Sequence, residues 1–192
     1  MSEKTFVGFE VGLLRVNCYL VPSGDSRILY IIDPGDNAEL IMDNVRKFSF
    51  EETVILFTHC HVDHISASGE IAEKLGIKRV YIHPDDQAFY SSPDNNLLPY
   101  IPAAENLPVP SKWPPVSDDF EVIHTPGHSR GGVCYYFKKL NALFTGDTLF
   151  NCSVGRTDFV GGSSSALMDS ISRKLLTLPP DLEIFPGHGE PS

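Results

Sequence analysis

Thr58-His59-Cys60-His61-Val62-Asp63-His64 packs three imidazoles and a carboxylate into the six positions 59–64. Neutral imidazole and carboxylate are ligands for borderline divalent metals such as zinc, iron or manganese. The cluster follows Val54-Ile55-Leu56-Phe57, a short apolar run of strand type. The ligand-type residues therefore fall at the C-terminal end of a strand, where open α/β sheets place their active sites. In an extended turn His59 and His61 point the same way and Cys60 is turned aside. Asp63 and His64 then reach a second position nearby, which suggests two metal ions rather than one. A polar loop carrying surface histidines is the plainer alternative, and the rest of the chain decides between the two.

Working outward, apolar runs alternate with helical patterns. Residues 28–32 form a continuous apolar strand that ends in the turn Asp33-Pro34-Gly35. Asp36 and Glu39 have capping-box spacing, and Leu40, Ile41, Val45 and Phe48 mark one face of a helix. After the histidine cluster the pattern predicts a helix over about 66–75, stopped by Gly76, and a strand near 79–82. Between residues 83 and 116 the pattern is lost: eight of the fifteen prolines fall there, with the single tryptophan, Trp113. That density rules out a central strand or a long helix. It reads as a long connection with a short helix near 85–90, either a rim over the site or an inert crossover. Strand patterns return at 120–123, 132–137 and 142–144. Ser163 to Ser165 offer caps for a helix through Leu167, Ile171, Lys174, Leu175 and Leu178, ended by Pro179-Pro180. A last strand over 182–185 leads into Pro186-Gly187-His188-Gly189.

Three further segments repeat the layout of the first, with an apolar strand, then a turn, then a ligand-type residue. They are Thr125-Pro126-Gly127-His128, Thr145-Gly146-Asp147 and Pro186-Gly187-His188. Glycine lets the backbone turn sharply and approach closely, so each turn can present the next side chain to a shared point. Singly each is a weak signal; together they argue for one site.

A chain of 192 residues suffices for one well-cored domain or at most two small ones. Its 42% apolar and 21% charged residues are ordinary for a globular protein. No stretch approaches the roughly 20 apolar residues of a membrane span. The first ten residues include Glu3 and Glu10 and lack the apolar block of a signal peptide, so a cytoplasmic location is the default expectation. Cys18, Cys60, Cys134 and Cys152 show no paired spacing and read as reduced thiols. Cys60 and Cys152 lie near motifs, where a metal or redox role competes with a thiol pointing away. The formal charge of −10, with Lys and Arg scattered, argues against a nucleic-acid partner. It does not exclude a small anionic substrate, since two divalent ions would reverse the local charge.

With Asp33-Pro-Gly35, Gly146-Asp-Thr-Leu-Phe150 and Gly155-Arg-Thr-Asp-Phe159 added to these segments, nearly the whole chain resembles the metallo-β-lactamase superfamily. The resemblance implies an α/β fold, the αββα four-layer sandwich, as one domain over 1–192 with a Pro-rich connection at about 83–116. It implies that His59, His61 and His128 hold a first metal ion, that Asp63, His64 and His188 hold a second, and that Asp147 bridges them. The cofactors implied are two divalent ions, zinc first, with iron or manganese as alternatives. Within the superfamily, Gly-Asp-Thr-Leu-Phe, Gly-Arg-Thr-Asp-Phe and Pro-Gly-His-Gly most resemble hydroxyacylglutathione hydrolases of the glyoxalase II type. The chain stops four residues after His188, where full-length members add a helical glutathione-binding domain, so it is more similar to the short single-domain forms.

The implied reaction is hydrolysis of a small-molecule thioester of the S-hydroxyacylglutathione type, with no nucleic-acid or membrane partner. A hydroxide shared by the two ions attacks the carbonyl, and Asp63 and Asp147 are the expected catalytic carboxylates. Persulfide dioxygenases with a single iron share much of the motif set and are the main alternative; a non-catalytic metal-binding module is another. Lacking an export signal and basic patches, the chain fits a β-lactamase or a nuclease less well. His83 and His124 have no partner in the motif set and are expected in strand-end polar networks. Arg156 either binds a substrate carboxylate or pairs with Asp158, and Arg130 is a rim candidate by position.

Overall fold

The computed structural model of the chain describes residues 6–192. In chain order the elements begin with strands β1 (Val7–Val11), β2 (Val16–Pro22) and β3 (Ile28–Ile32), helix α1 (Ala38–Val45) and strand β4 (Glu52–Leu56). A short helix α2 (Val62–Ile65), helix α3 (Ser68–Leu75), strand β5 (Arg79–Tyr81) and helix α4 (Pro84–Tyr90) follow. The second half has strands β6 (Glu121–His124), β7 (Val133–Phe137) and β8 (Ala142–Gly146), then a small hairpin of β9 (Leu149–Phe150) and β10 (Ser153–Val154). Helix α5 (Ser164–Ser170) runs on as a π-helical turn (Ile171–Leu175), and β11 (Glu183–Pro186) closes the chain. One sheet has the order β1-β2-β3-β4-β5 and the other β11-β8-β7-β6.

Side-chain alternation along these strands builds the layers. On β2 and β3, Cys18, Leu20, Leu29 and Ile31 pack with Ile41, Met42, Val45 and Ile71 of α1 and α3. The intervening Tyr19, Val21, Tyr30 and Ile32 face Val133, Tyr135, Phe137, Phe144 and Phe185 of the other sheet. On the far side, Cys134, Tyr136 and Leu143 meet Leu167, Ile171 and Leu175. Three cores separate four layers, helix on sheet on sheet on helix: the αββα sandwich. β3 pairs in parallel with β4, and both are buried on two faces. This explains why 28–32 and 54–57 read as continuous rather than alternating apolar runs.

Several boundaries differ from the sequence reading. The N-terminal hairpin of β1 and β2 had no clear signal, because the small residues at Gly8 and Gly12 break its pattern. Asp36 does not form a capping box. Its Oδ1 accepts the Asn37 N–H at 2.6 Å, and α1 starts from a left-handed Asn37 with no side-chain cap. Leu40 is exposed, and the buried face is Ala38, Ile41, Met42 and Val45. The helix expected over 66–75 is α3, and a separate short helix ahead of it, α2, puts Asp63 and His64 on a helical turn of their own. Gly76 ends α3 at φ 64, the left-handed cap that glycine favours. In the Pro-rich connection α4 is the expected short helix, and Leu97 and Ile101 form an isolated bridge beyond it. No helix among the described residues is long and apolar enough to cross a membrane.

Cys18, Cys60 and Cys134 are buried and Cys152 is exposed, with none in a disulfide. Burial pushes the Cys134 thiol up to about 11 and holds Cys18 and Cys60 well above the usual thiol range. The thiolate is the reactive form. The native protein is therefore expected to react with one equivalent of a thiol reagent, and the unfolded chain with all four cysteines. A second native equivalent would contradict the packing of the sheet cores.

Candidate metal centre

The two sheets deliver their ligand-type residues to one edge. β3 and β4 run parallel, as do β8 and β11, and β6 shares the direction of β8 because each is antiparallel to β7. The C-terminal ends of β4, β6, β8 and β11 lead to His59, His128, Asp147 and His188, respectively. Cross-sheet hydrogen bonds join the edge: Val133 N–H to Thr58 O at 2.8 Å and Asn17 N–H to Gly187 O at 2.8 Å. Glycine is required where these loops meet. A Cβ on Gly35 would lie 1.8 Å from Asp63 O, and one on Gly155 1.7 Å from Asp147 O.

His59, His61 and His128 bring one donor atom each within 4.8 Å of one another, and so do Asp63, His64 and His188. Asp147 lies between the two trios. Its Oδ1 is 3.4 Å from His64 Nε2, and its Oδ2 is 3.5 Å from His128 Nε2 and 3.7 Å from His188 Nε2. All seven residues named from the sequence thus meet in one place. The chain's own acceptors orient the rings. His64 Nδ1 faces Asp33 Oδ2 at 3.0 Å, His128 Nδ1 faces Arg156 O at 2.7 Å, and His188 Nδ1 faces Leu14 O at 3.0 Å. Donation from Nδ1 leaves the Nε2 lone pair turned toward the centre.

Two residues without an assigned role in the sequence organise this centre. Asp33 is buried, has a left-handed backbone (φ 50), and accepts the Thr58 N–H at 2.8 Å, the Thr58 hydroxyl at 2.5 Å and the His64 ring. A non-glycine residue in that conformation is strained and tends to mark a functional turn. An acid closing a buried strand directly before Pro-Gly was the signal available in the sequence. Asp86 of α4 accepts from Cys60 N at 3.1 Å, Ser129 Oγ at 2.8 Å and Gly131 N at 2.6 Å. It therefore ties the His59–His61 loop to the His128 loop. No short motif surrounds Asp86, so its role appears only once the chain is folded.

Electrostatics divides the two trios. Burial, reinforced by neighbouring imidazoles, lowers His59 and brings His61 down to about 4, so both are neutral at pH 7 with a lone pair to offer. In the other trio burial is overcome by charge. Asp147 and Asp63 raise His64, and Asp63 with Asp147 raises His188. In turn His64 and His188 hold both carboxylates below their usual range despite burial.

The donor set fits divalent metal. His59 Nε2, His61 Nε2, His64 Nε2 and Asp147 Oδ1 are buried atoms with no hydrogen-bond partner. An unsatisfied buried polar group costs about 1–3 kcal/mol, and four on the ligand-type residues, beside a 2.8 Å approach of His61 Nδ1 to His128 Nε2, point to an electrophile as their partner. Nitrogen and carboxylate donors suit zinc, iron or manganese.

The remaining candidates lie elsewhere. His83 and His124 stack with centroids 4.1 Å apart at 12°, and Trp113 packs against His83. His83 Nδ1 accepts the Asp85 N–H at 3.2 Å, and His124 Nε2 faces Arg130 O at 3.0 Å. They are the strand-end histidines with polar partners that were expected. Arg156 pairs with Asp158 through two contacts of 2.7 and 2.5 Å and lies over the Phe159 ring. Arg130 lines a separate shallow cavity beside Asp85 and His124. The centre itself opens into a cavity of about 650 Å³, lined by His61, Asp63, His128, Asp147 and His188 at its base.

Comparison with known proteins agrees with this geometry. The sequence profile of the metallo-beta-lactamase superfamily matches residues 11–188. The chain is 34% identical over 187 residues to a probable metallo-hydrolase, YqgX, of Bacillus subtilis, covering 93% of this chain and 87% of the relative. It is 32% identical over 192 residues to the hydroxyacylglutathione hydrolase GloC of Haemophilus influenzae, covering 93% and 88%. Among solved structures, BLEG-1, a B3 metallo-beta-lactamase, superposes with a TM-score of 0.83 at 34% identity, covering 98% of this chain and 93% of that one. TTHA1623 in a di-iron-bound form superposes with a TM-score of 0.82 at 35% identity, covering 97% and 93%. With its fold, its strand-end ligand residues and these relatives in agreement, the chain belongs to the metallo-beta-lactamase superfamily.

Proposed function

We propose that the chain hydrolyses thioesters with a pair of divalent metal ions. The observation that carries this reading is the two donor trios with Asp147 between them at the base of an open cavity. His59, His61 and His128 would hold one ion, Asp63, His64 and His188 the other, and Asp147 would touch both. Zinc is the first choice for the donor set, and the di-iron form of TTHA1623 supports iron as an alternative. Bound ions of this kind lower the pKa of water from ~15.7 to about 7 and polarise the carbonyl under attack.

The chain's own residues supply position and charge. Hydrogen bonds from His64, His128 and His188 to Asp33, Arg156 O and Leu14 O fix three rings before substrate arrives. Asp63 and Asp147, kept ionised by the facing histidines, balance the positive charge and offer carboxylate oxygens to a water proton. Phe159 packs 5.0 Å from the His61 ring and 6.0 Å from the His128 ring, which limits water at that side of the centre. Arg156 is the single Lys or Arg among the described lining residues, and it is engaged by Asp158. A leaving group that needs no protonation suits such a site. A thiolate, with a parent pKa near ~8.5, meets that condition better than an alkoxide or an amine.

GloC supports the thioester class, and S-lactoylglutathione is the first probe to which the resemblance points. A persulfide dioxygenase with a single iron would use only part of the same donor set, and about one iron per chain with oxygen uptake on a persulfide would favour that reading instead. The test is hydrolysis of S-lactoylglutathione and simple thioesters by metal-loaded protein, with a β-lactam beside them because of BLEG-1. Thioester turnover that stops with chelation and returns with metal is the expected result. β-Lactam turnover with no thioester turnover would replace this reading.

A further inference from the structure

We propose that the parts of the substrate flanking the scissile bond are apolar and uncharged, so that the preferred substrate is a neutral alkyl thioester rather than a glutathione conjugate. The inference rests on the thioester reading above and adds the chemistry of the two arms. It comes from the walls of the cavity rather than its base.

Four separate segments bring exposed apolar side chains to the rim. Leu14 comes from the β1–β2 turn, Tyr100 from the Pro-rich connection, Val154 from the β9–β10 hairpin, and Val160 from the loop before α5. They are 43%, 75%, 40% and 72% exposed, respectively. Apolar residues scattered singly on a surface need no explanation, but a convergent group around a cavity marks a binding site. Deeper in, Phe89 and Phe150 continue the same lining.

The amide and guanidinium side chains of the walls already have partners in the chain. Asn95 donates to Cys60 O at 2.7 Å, and Asn96 donates to Pro93 O at 2.8 Å and accepts from Leu98 N at 3.3 Å. Arg156 is held by Asp158 and rests on Phe159. Asp94 adds a negative charge to the lining. A glutathione conjugate carries two carboxylates and one ammonium, and the single Lys or Arg among the described lining residues, Arg156, already faces Asp158 in an exposed ion pair, so the wall offers two carboxylates no unpaired positive charge. A carboxylate against this wall loses part of its hydration and gains no partner, whereas each methylene buried against it favours binding by up to about fourfold.

The experiment compares kcat/KM of metal-loaded protein for three thioesters: S-hexanoyl-N-acetylcysteamine, S-acetyl-N-acetylcysteamine and S-hexanoylglutathione. The expected result is that the hexanoyl ester of N-acetylcysteamine exceeds the acetyl ester by about tenfold or more and also exceeds the glutathione ester of the same acyl group. Val160→Asp, on an exposed position, should lower the hexanoyl-to-acetyl ratio severalfold. A glutathione ester turned over as fast or faster, an acetyl ester equal to the hexanoyl ester, or a ratio unmoved in the variant would overturn the inference while thioester hydrolysis stands. No turnover of any of the three, nor of S-lactoylglutathione, would overturn the thioester reading itself.

Discussion

Asp147→Asn is expected to lower thioester turnover by about 10³-fold or more, the scale on which preorganised charge at a reacting centre acts, while leaving the fold intact. The asparagine has the same shape, so it does not disturb Gly187, where a Cβ would already lie 2.3 Å from Asp147 Oδ1. It removes the negative charge that faces His64, His128 and His188 from between the two trios. A neutral amide cannot balance two divalent ions at once, so metal content should fall together with kcat. An unchanged thermal midpoint without metal would show that the loss is chemical rather than structural. Undiminished turnover in the variant would sink the assignment, and His59→Ala is expected to fail in the same way by opening the first trio.

Asp33→Ala should have the second-largest effect, and a different one. Asp33 is 1% exposed, and its carboxylate receives the Thr58 N–H, the Thr58 hydroxyl and the His64 ring. Its removal orphans three buried groups at about 1–3 kcal/mol each, so a stability loss of roughly 3 kcal/mol or more is expected. The His64 ring also loses the acceptor that holds its tautomer. Removing such a partner typically weakens metal affinity by about 10–100-fold, and that loss should fall on the ion held by His64 rather than on the His59 trio. Denaturant unfolding and metal titration of the same variant separate the two effects. Asp33→Asn keeps an acceptor for Thr58 and should recover most of the stability but not the metal affinity. Full recovery of both would show that the charge of Asp33 is immaterial.

The parts of this protein that could be read from sequence were those with their own local signature. The strands 28–32 and 54–57 are apolar throughout because both faces are buried, and a ligand residue after each strand end needed only a turn to expose it. The seven ligand-type side chains therefore stood out before any geometry was known. The N-terminal hairpin was not legible, since β1 is largely exposed with a broken pattern and is fixed by pairing with β2. Helix α3 was legible within 66–75, but the four-residue turn α2 that carries Asp63 and His64 was not, because four residues are too few to show a helical period. Asp33 and Asp86 were missed as functional residues for a related reason. Their work consists of long-range hydrogen bonds to residues 25 and 45 positions away, among others, and no local pattern encodes such a partner.

Stepwise addition of zinc to metal-free protein, with thioester hydrolysis read after each addition, tests the paired-ion account most directly. Turnover should climb until about two ions per chain are bound, the arrangement of two-metal hydrolytic sites. Full turnover at a single ion, or none when both trios are filled, would contradict it.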